Sequence, residues 1–309
     1  MPLVFPNFWS PFNMTSDITL CIPAYNASPF ILETIDSVCN QTYRNFHCIV
    51  SVDLSNDDTY HKLSSSLVDK RFTIHRQQRR LGWARNVNYV ISKSTSRYVC
   101  IMPHDDIIHP TYIDKLLPII KNDQEIAAVY SDIVQFGDGK EATIKQPSVS
   151  GSKLERILDY LNHHYNCVVF RGIVDREKVG DDIYCSSNKF DDFSQDTIWG
   201  LKLALHGKLI RHPKILYSKR YLDTSYHHKW QQWDTQKNLA AWAYHCAKCL
   251  HILMKDGQLH SHRTEISQAI INRLLQRKAP LWRKSELQDH LNYNEMVPRL
   301  ITNISGKDG

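Results

Sequence analysis

The 309-residue chain is 42% hydrophobic and 23% charged, which suits a large folded domain with an appendage and excludes a disordered or fibrous polypeptide. A net charge of +6 permits an anionic ligand or membrane surface, and no dense Lys/Arg stripe interleaved with aromatics points to nucleic acid. Most of the eight cysteines (21, 39, 48, 100, 167, 185, 246 and 249) sit in apolar runs, as expected of reduced thiols in a cytoplasmic protein. Cys246-x-x-Cys249 lies between His245 and His251 but has no second ligand pair at zinc spacing, so it reads as helix packing.

Residues 1–16 carry three prolines before residue 12 and lack a basic n-region, so they read as an irregular arm and not a signal peptide. No apolar run approaches the ~20 residues of a membrane span. From Asp17 onward, strand and helix alternate. Residues 18–22, 46–52, 72–75 and 98–102 are predicted strands. Helices are predicted over 29–40, after the turn at Ser55–Asp58 through Leu67, over 83–93, and over 110–121 with Pro110 in the favoured first position. Near-continuous apolar strands separated by helices indicate a parallel sheet covered on both faces, with ligands beyond the strands' carboxyl ends. Further on, residues 126–136 are a strand candidate. Ser152-x-x-Glu155 is a capping box, and Cys167–Phe170 reads as a strand. Asp196–His206 reads as a helix closed by Gly207 at its C′ position, and beyond about residue 235 the text is helical.

The stretch IMPHDDIIHP ends the fourth strand in a histidine and two carboxylates. One aspartate would suffice to cap the next helix, so a pair points toward a hard divalent cation. Asp196 opens an amphipathic helix, where a carboxylate serves as a cap or as a general base.

Six segments taken together resemble the family 2 glycosyltransferases. They are ITLCIPAYNASPFILETIDSVCNQTY, VSVDLSNDDT, LGWARNVNYVI, YVCIMPHDDIIHP, VVFRGIVDREKVG and SQDTIWGLKLALHGK, and they cover roughly residues 17–220. The resemblance implies a GT-A fold: a Rossmann-like, doubly wound, mostly parallel α/β sheet with a helical C-terminal extension. It implies a catalytic domain over 17–232, with a donor half over 17–125 and an acceptor half over 126–232, followed by a helical region over 233–309. The implied activity is inverting transfer of a sugar, from a nucleotide-sugar and first of all a UDP-sugar, to an acceptor hydroxyl. Glycan or polysaccharide assembly is the expected setting.

For the donor, the resemblance implies a base pocket at Pro23, Ala24, Tyr25 and Asn26, with Asp53 accepting hydrogen bonds from the base or ribose. Gly82 and Arg85 belong to the same donor set, Arg85 toward the phosphates. Asp105 is implied as the ligand of Mn2+ or Mg2+, with Asp106 as a second ligand or a ribose or sugar contact, and His104 near the ion or a sugar hydroxyl. Asp196 is implied as the general base, and His227 or His228 as a late-loop metal ligand. Four positions depart from the family pattern: Val52, Pro103, Gln195 and Leu222. They motivate one alternative, a catalytically inactive nucleotide-sugar-binding or interaction module; the shared sheet and acidic site allow a second, a nucleotidyltransferase. PAYNAS contains no Gly, Lys or Arg, which counts against the second.

The expected partners are the donor and a glycan, lipid-linked or small-molecule acceptor. Ile266, Ile270, Ile271, Leu274 and Leu275 share one helical face flanked by Arg273, Arg277 and Lys278, with Trp282 beyond. Packing on the domain is the expected use of that face, with peripheral membrane contact or a homodimer as the other uses it allows.

Overall fold

The structure, a computed structural model, describes residues 16–138, 141–164, 166–222 and 226–283, by backbone alone at 226–228 and 275–283. The first half is an alternating series: β1 (Ile18–Ala24), α1 (Ile31–Cys39), β2 (Phe46–Val52), α2 (Thr59–Ser66), β3 (Phe72–Arg76), α3 (Trp83–Lys93) and β4 (Tyr98–Ile101). Nearly every side chain of β1, β2 and β4 is buried, because helices cover both faces, and this is why these strands read as unbroken apolar runs. Ile31, Ile35 and Val38 seat α1; Ala84, Val87, Val90 and Ile91 seat α3. Inside the sheet the buried Thr19 hydroxyl donates to Ser96 Oγ at 2.8 Å, satisfying an otherwise costly polar group.

The chain then forms β5 (Ile107–Ile108), α4 (Tyr112–Asn122), β6 (Ile126–Phe136), β7 (Ala142–Ile144) and α5 (Lys153–His163), followed by β8 (Ile173–Asp175) and the short α6 (Arg176–Val179). After α7 (Gln195–His206) and β9 (Lys208–Arg220) come α8 (Tyr226–Gln231), α9 (Thr235–Leu253) and α10 (Arg263–Arg283). Nine strands form one sheet in the order β3-β2-β1-β4-β8-β6-β9-β5, with β7 on β6. β1 to β4 run parallel, as do β6 and β9, while β8 and β5 run against their neighbours.

Several local expectations change. Pro110 does not start α4; Thr111 is its N-cap, because the chain first pairs β5 with the end of β9. Cys167–Phe170 is not a strand. Cys167 adopts a left-handed backbone (φ 43°) and Val168–Arg171 form a single 3-10 turn, which reverses the chain and carries Arg171 to the rim of the sheet. Gly207 is extended (φ 178°) rather than left-handed; a Cβ there would lie 2.4 Å from the Glu125 carbonyl, so close backbone approach is what demands glycine. The Ser152–Glu155 capping box forms, with both reciprocal hydrogen bonds.

The C-terminal helices pack on the protein. Ile266, Ile270 and Leu274 of α10 are buried, and the buried Arg273 guanidinium donates to the Tyr160, Leu161 and His164 carbonyls at the end of α5. Leu275, Arg277, Lys278 and Trp282 lie outside the described side chains. Cys246 and Cys249 are buried thiols of α9, Cys249 Sγ standing 3.7 Å from His245 Nε2. Among the described residues, no helix is long and apolar enough to cross a membrane.

Candidate active site at the rim of the sheet

The carboxyl ends of β2, β1 and β4 lie side by side and are tied by their own backbone. Asp53 N–H donates to the Ala24 carbonyl at 2.9 Å, and His104 Nδ1 stands 3.2 Å from the Pro23 carbonyl. The Thr34 hydroxyl on α1 is 2.9 Å from both the His104 and Asp106 carbonyls, which fixes the turn carrying the acidic pair. Buried Asn86 donates to the Ala24 and Ser51 carbonyls and accepts from Ser51 Oγ. Ala24 thus contributes backbone, and Asn86 holds two strand ends together.

Asp53, Tyr25 and the loop before α3 form one cluster. The Asp53 carboxylate is fully buried and accepts from Leu81 N–H at 2.8 Å, Gly82 N–H at 3.0 Å, Leu54 N–H at 2.9 Å and the Arg80 guanidinium. Gly82 adopts φ +82°, which turns the chain into α3. Arg80 also lies over the Tyr25 ring, 3.2 Å from its centroid. Asp53 therefore anchors this loop rather than presenting a free carboxylate, and Arg80 covers the aromatic face on which a base would stack. Asn26 is exposed with φ +46°; its N–H donates to Ser55 Oγ and its side chain accepts from Asn56 N–H. Arg85 is exposed, with Nε donating to the Leu81 carbonyl at 2.8 Å.

The two neighbouring aspartates have different surroundings. Asp106 is 1% exposed, and its oxygens accept from Arg171 Nε at 2.8 Å, Tyr217 Oη at 2.9 Å and Arg220 N–H at 2.9 Å. Asp106, expected as a second metal ligand or a ribose or sugar contact, is here a buried carboxylate committed to three protein donors, which tie β4, the 168–171 turn and β9 together. Burial opposes the charge on Arg171, but Asp106 outweighs it and holds the guanidinium pKa above its ordinary value. Asp105 is half-buried and has no side-chain partner among the described residues. Burial, then the Asp106 charge, push its pKa up. It is the carboxylate of the pair that lacks a cation.

Asp196 sits in the first turn of α7. Its Oδ1 accepts from Thr197 N–H at 2.9 Å, and Oδ2 has no protein donor among the described residues. The loop leading to it is conformationally demanding: Asp191, Asp192 and Ser194 all have positive φ. Asp192 holds this loop by accepting from Ala84 N–H at 3.2 Å and Asn188 N–H at 3.1 Å, which joins the turn before Asp196 to the start of α3. Gln195 is buried and its Oε1 has no hydrogen-bond partner among the described residues. Lys219 of β9 links the two acidic regions, since its ammonium lies within electrostatic reach of Asp106, Asp196 and Asp105. Burial, then Arg171, lower its pKa to about 8.

Asp105 and Asp196 are thus brought to one rim. Asp53 lies along the same edge, reached through β1 and the 80–84 loop. The side chains of His227 and His228 lie outside the described residues. Residues that sequence reasoning passed over are Arg80, Arg171, Tyr217 and Lys219; only Arg171 carried a signal, as the one charge inside VVFRG. Among the described residues no group of three His, Cys, Asp or Glu side chains surrounds a common point. The all-oxygen donor at Asp105 nonetheless fits Mg2+ or Mn2+, which take one or two carboxylates and complete their shell with phosphate and water.

Residues 19–179 match the profile described as Glycosyl transferase family 2. An uncharacterized glycosyltransferase of Haemophilus influenzae is 28% identical over 216 residues, 66% of this chain and 65% of that protein. One from Rickettsia prowazekii is 31% identical over 40% of this chain and 37% of its own length. The chain thus spans less than two thirds of the length of these relatives. Among solved structures, S. aureus TarS 1-349 in complex with UDP-GlcNAc superposes with a TM-score of 0.69 at 16% identity, covering 88% of this chain and 77% of TarS 1-349. The mannosyltransferase PcManGT of Pyrobaculum calidifontis, in complex with GDP-Man and Mn2+, gives 0.54 at 15% identity, over 94% and 87% of the two chains. These likenesses establish the GT-A fold, and with the family match over more than half of its length the chain belongs to glycosyl transferase family 2.

Proposed function

We propose that the chain transfers a sugar from a nucleotide-sugar, first of all a UDP-sugar, to an acceptor hydroxyl with inversion at the anomeric carbon, in glycan or polysaccharide assembly. The observation that carries this reading is the pairing of two differently placed carboxylates on one rim: among the described residues, Asp105 has no ion pair and Asp196 Oδ2 has no protein donor. Residues 17–125 take the donor and 126–232 the acceptor. Tyr25 supplies an aromatic face for the base, once Arg80 shares or yields it. Arg85 reaches toward the phosphates. Asp105 holds the divalent cation, which when bound offsets charge on the departing diphosphate.

Asp196 Oδ2 accepts the proton of the acceptor hydroxyl. The new bond joins that oxygen to the anomeric carbon as the bond to the diphosphate oxygen breaks, and the electron pair leaves with the nucleoside diphosphate. A single displacement of this kind inverts the anomeric centre. The nucleotide-sugars bound in the similar folds, UDP-GlcNAc in TarS and GDP-Man in PcManGT, are of this class.

The test is Asp196→Asn. Transfer should fall by 10³-fold or more, on the scale of a lost general base and its transition-state contacts, while donor affinity stays within a few-fold. Turnover at the wild-type rate would remove Asp196 from the chemistry. A second reading, a binding module without turnover, is favoured by Arg80 covering Tyr25 and closing on Asp53. Nucleotide-sugar binding by the wild-type chain, with no release of nucleoside diphosphate from any of a panel of donors, would decide for it.

A further inference from the structure

Three cations meet on the carboxylate side of the rim: Arg171, Arg220 and Lys219. Arg171 is committed to Asp106, and Arg220 to Glu33 and the Asp105 carbonyl. Lys219 has neither a hydrogen bond nor an ion pair among the described residues, although it is largely withdrawn from solvent. A withdrawn ammonium without an acceptor is costly, and such a group is normally paired or awaiting a ligand.

Its direction is fixed by the strand. Lys219 pairs with Gln135 of β6 and lies two residues from Tyr217, so both project from the same face of β9. Tyr217 Oη on that face touches Asp106. Lys219 is therefore held beside the acidic pair, on the side where Asp196 also stands.

Charge decides what it awaits. With Asp106 neutralised by Arg171, Asp105 and Asp196 set two carboxylates against the Lys219 ammonium, a net of one negative charge. A nucleotide-sugar diphosphate adds two more. A divalent cation on Asp105 removes two, which leaves Lys219, with Arg85 from the α3 side, to balance the phosphates. Without the lysine, the site would concentrate negative charge as the leaving group develops its own.

We propose that Lys219 contacts the donor's diphosphate and serves, beside the metal, as the protein cation that receives the nucleoside diphosphate leaving group. This rests on the donor class proposed above. The test is calorimetric titration of wild type, Lys219→Met, Lys219→Gln and Lys219→Arg with UDP and GDP, and with UMP and GMP, in Mn2+, alongside the unfolding midpoint of each unliganded protein. The neutral variants are expected to bind the preferred diphosphate tenfold or more weakly and its monophosphate less than threefold more weakly, with Lys219→Arg close to wild type. Diphosphate affinity within threefold of wild type in a folded neutral variant overturns the proposal. So does an equal loss for mono- and diphosphate, which would mark general damage to the pocket. A wild-type chain that binds none of the four nucleotides would instead overturn the proposed donor class, and this inference with it.

Discussion

Replacing Asp106 by asparagine separates a latch from a metal ligand. The carboxylate is 1% exposed and the Arg171 side chain 12%, so water cannot take over either partner. Removing one charge of such a pair costs roughly 3–5 kcal/mol, because the other is left buried and uncompensated. The Tyr217 hydroxyl and Arg220 N–H also point at the lost oxygens, and the new amide N–H faces donors instead of accepting from them. Urea unfolding followed by tryptophan fluorescence reads the cost. With a slope of about 3 kcal/mol per molar for a chain of this size, the midpoint should fall by roughly 1–1.7 M. Arg171→Met in the Asp106→Asn background removes the orphaned cation and should recover about 2 kcal/mol, a coupling that a pair without contact would not show. A cost below ~1 kcal/mol, no recovery in the double variant, and loss of metal-dependent donor binding would together refute the latch and return Asp106 to the metal.

Two glycines should resist substitution for different reasons. Gly82 has φ +82° and ψ 171°, a combination essentially confined to glycine, so Gly82→Ala should cost about 1–3 kcal/mol of backbone strain although open space surrounds a built Cβ. Gly207 has an ordinary extended φ, but its Cβ would press on the Glu125 carbonyl and, at 3.0 Å, on the Ala127 nitrogen, so Gly207→Ala should cost about 2–3 kcal/mol; a cost below ~1 kcal/mol in urea unfolding would contradict the close-approach reading. His245 is buried neutral, its pKa lowered to about 3 by burial and then by Arg273. The unfolded chain takes up this proton below about pH 6.5 and the native chain does not, so stability is lost as pH falls from there toward 3, at up to ~1.4 kcal/mol per pH unit. His245→Gln should therefore lose about 2 kcal/mol less than wild type between pH 6.5 and 5; parallel pH profiles for the two proteins would refute this.

The parallel half of the sheet was legible because strands buried on both faces leave an unambiguous apolar text, as in Phe46–Val52 and Tyr98–Ile101. β9 was not, although it is 13 residues long. Its outer residues are polar, Pro213 interrupts it, and its register with β6 jumps from His212 opposite Ser131 to Ile215 opposite Asp132. Cys167–Phe170 misled because four apolar residues are equally the text of a strand or of a buried turn. The acidic positions could be read, since carboxylates at the ends of buried strands stand out. Their partners could not: Arg80, Arg171, Tyr217 and Lys219 come from segments that meet Asp53 and Asp106 only once the sheet has closed.

The most direct measurement is the anomalous signal of manganese in crystals grown with UDP and Mn2+. A site occupied as proposed gives a peak about 2 Å from an Asp105 carboxylate oxygen, in contact with the phosphates, while Asp106 keeps Arg171 and Tyr217. UDP bound with manganese on any other protein ligand, or seated on the far side of the sheet from Asp196, would contradict it.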